Sequence, residues 1–544
     1  MSVSMPGGNA EETKSGWSPM FTTSPFERVH AIWCSIPRYA KVQFVSAFVA
    51  ALLVHIYLMA NGLINHDSAV VTGNNQWFNI FSGRWFAMVP DMISGTFNLM
   101  WVNSLFSIIY LSVAACLIGA CLEIRRTPLV LVLSALIVSF PAVASGLSDR
   151  FEADKFFFAV LLACSAVYLT RQFRFGVLAG IFLLLFSLAT YQAYVGFFSG
   201  LAVLILIREL MTGREFRRVM VSAVKYVVVL VVALGAYVVS VKLTNSTGGS
   251  GYKDINTFGG FSLQNLPARF IFAYRNFFEI FFKNSQWIHQ DFLQNGQRYE
   301  YVFALTAFVM LGLLIIIVSR NSMTKDPARL VAVVLLAALI PPAINIIAMV
   351  TPDSLYILMQ YSLVLYFAFA LVLVDVAVGS VAASSTAIIA RLAHMFSWLI
   401  ILFCCLVAFS YALYTNVFYS KMDLMNKQGQ AYSTILVTRI QSQSYYTPDI
   451  PIVLYGAAPQ SFALGYYANF YAIPLEDMPN MYSYPAYLLT YMDLHNPISR
   501  NDGSMPAALS SDANAMAAIS KMPIYPETGS IDQFDGYIVV KFSN

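Results

Sequence analysis

The residues best suited to chemistry gather in a few short polar stretches between long apolar runs. Asn65-His66-Asp67 follows the first apolar run, and the same stretch carries Asn74-Asn75-Gln76-Trp77-Phe78, Gly83-Arg84-Trp85 and Asp91. A carboxylate can take a proton from a hydroxyl, and a guanidinium can hold a phosphate through paired hydrogen bonds. Asp67 is the candidate base, with His66 and Arg84 beside it in sequence; the plain alternative is a solvated acid marking a helix end. A second stretch, Ser148-Asp149-Arg150-Phe151-Glu152-Ala153-Asp154-Lys155, puts three acids and two bases between two apolar runs. Such charges are costly at a membrane unless paired or at work. Glu152, Asp154 and Lys155 are therefore binding candidates, although Asp154 also suits the first turn of a helix, where an anion meets the positive end of the dipole. Thr190-Tyr191-Gln192 interrupts a third apolar stretch.

The elements that position these residues are membrane helices. The chain has 544 residues, 58% hydrophobic and 11% charged, with a mean hydropathy of +0.66. Soluble domains carry about a quarter charged residues, so that class is excluded. The net charge of +4 is too small and dispersed for a nucleic-acid partner, which needs a concentrated basic face. All six cysteines, Cys34, Cys116, Cys121, Cys164, Cys404 and Cys405, lie in the N-terminal tail or in apolar runs, so no disulfide framework is expected. No CxxC or HExxH spacing writes a metal site. The polar stretch to about Pro37 lacks the layout of a cleaved signal peptide, and the first span is expected to be retained.

Runs of roughly 17–25 apolar residues mark transmembrane helices. They fall near 41–61, 98–121, 128–146, 156–171, 175–190, 193–209, 220–242, 300–319, 329–350, 356–378 and 396–418. The stretch 175–209 is too long for one crossing, and its polar middle predicts a hairpin. With the N-terminus inside, Arg125, Arg126, Arg171, Arg174, Arg208, Arg214, Arg217, Arg218, Arg320, Lys325, Arg329 and Arg391 all fall in short cytoplasmic links, as the positive-inside rule asks. The expected organisation is a cytoplasmic tail over 1–40 and a membrane domain over 41–418. The outer loops are 62–97, 147–155 and 243–299, and a small α/β domain over 419–544 lies on the outer side.

Other polar groups follow the same division. The long loop starts at Thr247-Gly248-Gly249-Ser250-Gly251, a flexible start. It continues into Leu263–Lys283, a Phe-rich stretch with Arg269, Arg275 and Lys283; such a helix lies in the headgroup layer and faces phosphates. Asn345, Asp353, Tyr356, Gln360 and Tyr361 mark the outer ends of two spans. Within the apolar runs ionisable residues are few, among them His55 in the first span and Asp375 near the inner end of another, so the chain of acids that a proton-coupled transporter threads through the bilayer is not written. In the tail, Pro451–Gly456 and Tyr537–Phe542 read as strands after a helix over about 420–441. Tyr445, Tyr446, Tyr466, Tyr467, Tyr482, Tyr484 and Tyr487 either stack on sugar rings or pack at the interface, where Tyr is favoured.

This layout resembles the type II O-antigen glucosyltransferases of serotype-converting phages, in the GT-C class of membrane glycosyltransferases. The shared features are an acid after the first span, a Gly-Arg-Trp element, an acid-bearing loop before the fourth span, Thr-Tyr-Gln at a hairpin tip and an outer C-terminal domain. The resemblance implies an inverting transferase in a bacterial inner membrane, moving glucose from undecaprenyl phosphate onto lipid-linked O-antigen at the periplasmic face. It implies that Asp67 is the catalytic base, that Glu152 or Asp154 binds sugar or phosphate, and that Arg84 and Arg275, with Lys155 behind them, stabilise the leaving phosphate. Tyr191 and Gln192 join the binding set. Many relatives carry two adjacent acids where this chain has His66-Asp67, which leaves a divalent metal open. The competing functions are a flippase or exporter of lipid-linked saccharide, for which charges should line the membrane interior, and an O-antigen polymerase, which carries arginine-rich outer loops without a separate C-terminal domain.

Overall fold

The computed structural model describes residues 24–70, 82–95, 97, 99–244, 263–282, 298–321, 323–351, 355–381, 387–458, 483–500 and 505–544. Asn74-Asn75-Gln76-Trp77-Phe78, Thr247–Gly251, Lys283, Asp353, Tyr466, Tyr467 and Tyr482 lie outside the described residues.

The eleven apolar runs all become helices. They are α1 Arg38–Asn61, α2 Met100–Cys121, α3 Thr127–Ser139 with Pro141–Ser148, α4 Ala153–Gln172, α5 Gly176–Thr190 and α6 Val195–Met211. After them come α7 Phe216–Leu243, α8 Arg298–Arg320, α9 Pro327–Ile344, α10 Leu365–Val381 and α11 Ala387–Gln441. Among the described residues nine helices are long and apolar enough to cross a membrane, ten if the bent α3 counts as one span; α5 is a shorter apolar helix. The protein is a polytopic helical membrane protein. The expected hairpin within 175–209 is present as α5 and α6, joined by Tyr191 and a short 3-10 turn over Gln192–Tyr194.

Local chemistry explains the breaks. Pro141 forbids a helical conformation at Phe140, which is extended (φ −56°, ψ 134°), and α3 bends there by 43°. Small residues permit close packing elsewhere: a Cβ on Gly200 of α6 would lie 2.7 Å from the Ile344 side chain of α9. Some polar groups inside the bundle tie helices together. His55 bonds the Tyr419 hydroxyl at 2.7 Å through Nδ1 and the Val138 carbonyl at 2.9 Å through Nε2, joining α1, α3 and α11.

Because successive helices reverse direction, the residues after α1, before α4 and between α5 and α6 meet at one end. At the opposite end the short links carry an ion-pair network. Arg171 and Arg208 lie 2.6 and 2.7 Å from Glu123, while Arg208 and Arg126 each reach Asp375 at 3.0 Å. Asp375 is thus a structural partner of two arginines.

Helix α11 has 55 residues, roughly 80 Å at 1.5 Å per residue, against about 30 Å of hydrocarbon. It runs without interruption past residue 419, so the expected last span and the helix over 420–441 are one rod. That rod carries a four-stranded sheet of order β2-β1-β4-β3, with β1 Ile452–Tyr455, β2 Ile498–Arg500, β3 Ile531–Phe534 and β4 Tyr537–Lys541. β1 is parallel to β2 and β4, and β3 is antiparallel to β4. Helix α12, Tyr484–Met492, packs against both α11 and the short helix His66–Val70.

Candidate active site

The segment after α1 is built from its own amides. The Asn65 side-chain carbonyl accepts from the Ser68 backbone N–H at 2.8 Å and from the Ser68 hydroxyl at 2.7 Å, which starts helix His66–Val70. The Asn65 amide donates to the Asp149 carboxylate and so ties the first loop to the second. From below, Asn426 of α11 accepts from the Ile64 backbone N–H at 3.0 Å and donates to its carbonyl at 2.9 Å. Asp67 is 40% exposed and lies 3.5 Å from His66 Nε2.

Asp149 faces Asp67. Burial raises its carboxyl well above the ordinary carboxylate range, and the Asp67 charge adds to the rise; the Asn65 amide and Arg84 oppose it. Asp149 was read only as one charge among several in its loop. Its approach to Asp67 depends on the 81 residues between them folding back, and the sequence carries no local signal of that.

Deeper in, Lys155 is the centre of a buried pairing. Its ammonium lies 2.9 Å from Asp91 and 3.2 Å from Glu152. Burial raises the Asp91 carboxyl, and Lys155 pulls it back. Arg84 is the second cation. Its guanidinium stacks 4.6 Å from the Tyr191 ring centre and lies 3.8 Å from Glu152. The turn that presents it is held by Gln192, whose amide donates to the Ser82 carbonyl at 2.9 Å and to the Tyr237 hydroxyl at 2.7 Å. Gly83 has φ +75°, and a Cβ there would lie 2.8 Å from the Tyr237 hydroxyl, so both conformation and space require glycine.

Arg84 Nε, Glu152 Oε2 and the Tyr194 hydroxyl are buried without a hydrogen-bond partner among the described residues, and Tyr194 is close enough to feel the charges of Asp149 and Arg84. Buried polar atoms nearly always find partners, so this cluster is suited to the oxygens of a polar ligand.

His66, Asp67, Arg84, Glu152, Lys155, Tyr191 and Gln192 therefore meet around one end of the bundle. Asp154 is fully buried in the first turn of α4, beside Lys155. Arg275 stands apart: it lies on the exposed side of helix Leu266–Phe282 and pairs with Glu279 on its own helix at 2.7 Å. Asn345 and Gln360 join Asn276 in an amide network at 2.8 and 2.6 Å. Tyr484 and Tyr487 are buried in the core under the sheet, the packing alternative for those two. The sequence reading missed Tyr237 and Asn426, which touch the site only through tertiary contacts. Among the described residues no three His, Cys, Asp or Glu side chains are grouped so that they could hold a metal ion.

The fold is thus a helical membrane bundle with paired buried charges and the half-exposed Asp67 carboxylate at one end. Residues 56–374 match the glucosyl transferase GtrII family, more than half of the chain, and the protein belongs to that family. Its members are the O-antigen glucosyltransferases of serotype-converting phages. No curated protein matches the chain, and no solved structure matches it.

Proposed function

We propose that the protein is an inverting glucosyltransferase that moves glucose from undecaprenyl phosphate onto lipid-linked O-antigen. The site would lie at the periplasmic face of the bacterial inner membrane, with the N-terminus cytoplasmic and the C-terminus periplasmic. The observation that carries this reading is the group of buried atoms without hydrogen-bond partners on Arg84, Glu152 and Tyr194, near the Asp67 and Asp149 carboxylates. It puts buried polar atoms and a carboxylate base side by side at the end of a lipid-facing bundle.

The acceptor hydroxyl gives its proton to Asp67 while its oxygen attacks glucose C1. The bond from C1 to the phosphate oxygen breaks, and undecaprenyl phosphate leaves with the electron pair. Arg84, fixed by Tyr191 and by the Gln192-held turn, stabilises the charge on the departing phosphate. Glu152 orients Arg84 and Lys155 and presents its second oxygen to a sugar hydroxyl; His66 holds Asp67. The exposure of Arg275 on a helix buried along its other face supports contact with membrane lipid headgroups rather than with the reacting phosphate. The bilayer depth of the lipid phosphate explains why the polar groups crowd one end.

Substituting Asp67→Asn removes the base without changing shape. Glucosylation of O-antigen in membranes holding equal amounts of protein should fall about 10²–10⁴-fold. Undiminished transfer would eliminate Asp67 as the base.

A further inference from the structure

The stretch before Pro37 is polar on average, yet it contains a helix, Pro25–Ser35, with the spacing of a surface element. Pro25 opens it with a preset φ, and the Ser24 backbone N–H donates to the Glu27 carboxylate at 3.2 Å. It ends at Ile36, which the following Pro37 holds extended (φ −69°, ψ 125°). At 3.6 residues per turn, Phe26, Val29, Ile32 and Trp33 share one side, while Glu27, Arg28, Cys34 and Ser35 take the other.

None of this helix is buried among the described residues, and Phe26, Val29, Ile32 and Trp33 are 86%, 67%, 63% and 55% exposed. A contiguous apolar side of that kind marks a place where something else docks. The position of the helix says what that is. Helix α1 follows after two residues, so Ser35 lies within about 11 Å of Arg38. α1 has 24 residues, about 36 Å of helix against roughly 30 Å of hydrocarbon, and it turns Val45, Val49, Leu53 and Ile56 outward to lipid. Its first residues, and the helix before them, therefore lie at the level of the headgroups.

Charge and ring chemistry agree with that depth. Between Ser24 and Lys41 the chain carries Arg28, Arg38 and Lys41 against the single acid Glu27, an excess that suits anionic headgroups. Lys41 lies 4.7 Å from the Trp33 ring centre, which ties the helix to the first turn of α1, and Trp is favoured at the headgroup level. We propose that helix Pro25–Ser35 lies along the bilayer surface beside the start of α1. Phe26, Val29, Ile32 and Trp33 insert at the boundary of the acyl chains, and Arg28, Arg38 and Lys41 face anionic headgroups.

The test uses the purified full chain, one copy per lipid nanodisc, so that both faces are open and no second protein is present. Native Cys34, exposed on the polar side, should react readily with a charged maleimide, with Cys34→Ser as the blank. Val29→Cys and Ile32→Cys, each in the Cys34→Ser chain, should react about 10-fold more slowly, because an apolar setting withholds the thiolate. A fluorophore attached at either position before reconstitution should be quenched by lipids with a nitroxide high on the acyl chain, and one on Cys34 should not. Replacing anionic by zwitterionic lipid should weaken the protection; equal protection in both overturns the part assigned to the three basic residues. Labelling of positions 29 and 32 as fast as Cys34 overturns the proposal, since the helix would then stand in water. Protection without quenching overturns it too, because protein rather than lipid would cover the apolar side. Protection seen only when two copies share a disc makes that side an interface between copies and overturns it as well.

Discussion

At the scale of single residues, the site is an exercise in how many carboxylates can be held together. Asp149 is close to Asp67, and burial together with that neighbour makes its proton hard to lose. The folded protein therefore binds more protons than the unfolded chain between the ordinary carboxylate range and the raised value, and stability falls as pH rises through that interval. Thermal unfolding of detergent-purified protein should show this decline above about pH 5, and Asp149→Asn should flatten it; a slope identical in the two proteins refutes the account. Lys155 has the opposite task. With Asp91 at 2.9 Å and Glu152 at 3.2 Å, Lys155→Met leaves two buried carboxylates facing each other. Breaking such a pairing costs about 3–5 kcal/mol, to be read as a lowered unfolding temperature and less folded protein in the membrane. Glu152, Asp154 and Lys155 stood out in sequence because charges between apolar runs need partners. Asp91 as the partner did not, since nothing local distinguishes it from a solvated loop acid.

At the scale of elements, α11 matters most. It is one rod from membrane to sheet, and on its way it grips the segment that carries Asp67. Asn426 satisfies both polar groups of Ile64, and the Tyr57 hydroxyl donates to Asp423 at 2.9 Å one turn earlier. The grip fixes where α1 ends and where helix His66–Val70 begins. Asn426→Ala should let that segment shift, lowering kcat about 10-fold with both substrate KM values little changed; a kcat within twofold of wild type would show that the segment holds its position without the grip. The run at 396–418 and the helix at 420–441 were each legible from apolar content and periodicity. Their continuity was not, because a helix crossing from lipid to water changes composition without changing its backbone. Likewise, the run at 128–146 was read as one span, and the structure bends it by 43° at Phe140-Pro141.

At the scale of the whole molecule, two polar ends are separated by an apolar middle. The Asp375 end is closed by Glu123 and three arginines, so its charges are spent on holding short links together. The other end gathers His66, Asp67, Arg84, Glu152 and Lys155, the groups that the proposed transfer would use. The sequence by itself determined the class, the apolar helices, the hairpin at Tyr191-Gln192 and the loops where charged residues gather. All of these follow from hydropathy and spacing, which are local. Only the tertiary structure decided that Asp149 comes near Asp67, that Gln192 and Tyr237 hold the Arg84 turn, and that Arg275 faces away. These are meetings between residues far apart in the chain, set by which helices pack together, and hydropathy is nearly blind to that choice because every helix in the bundle is apolar.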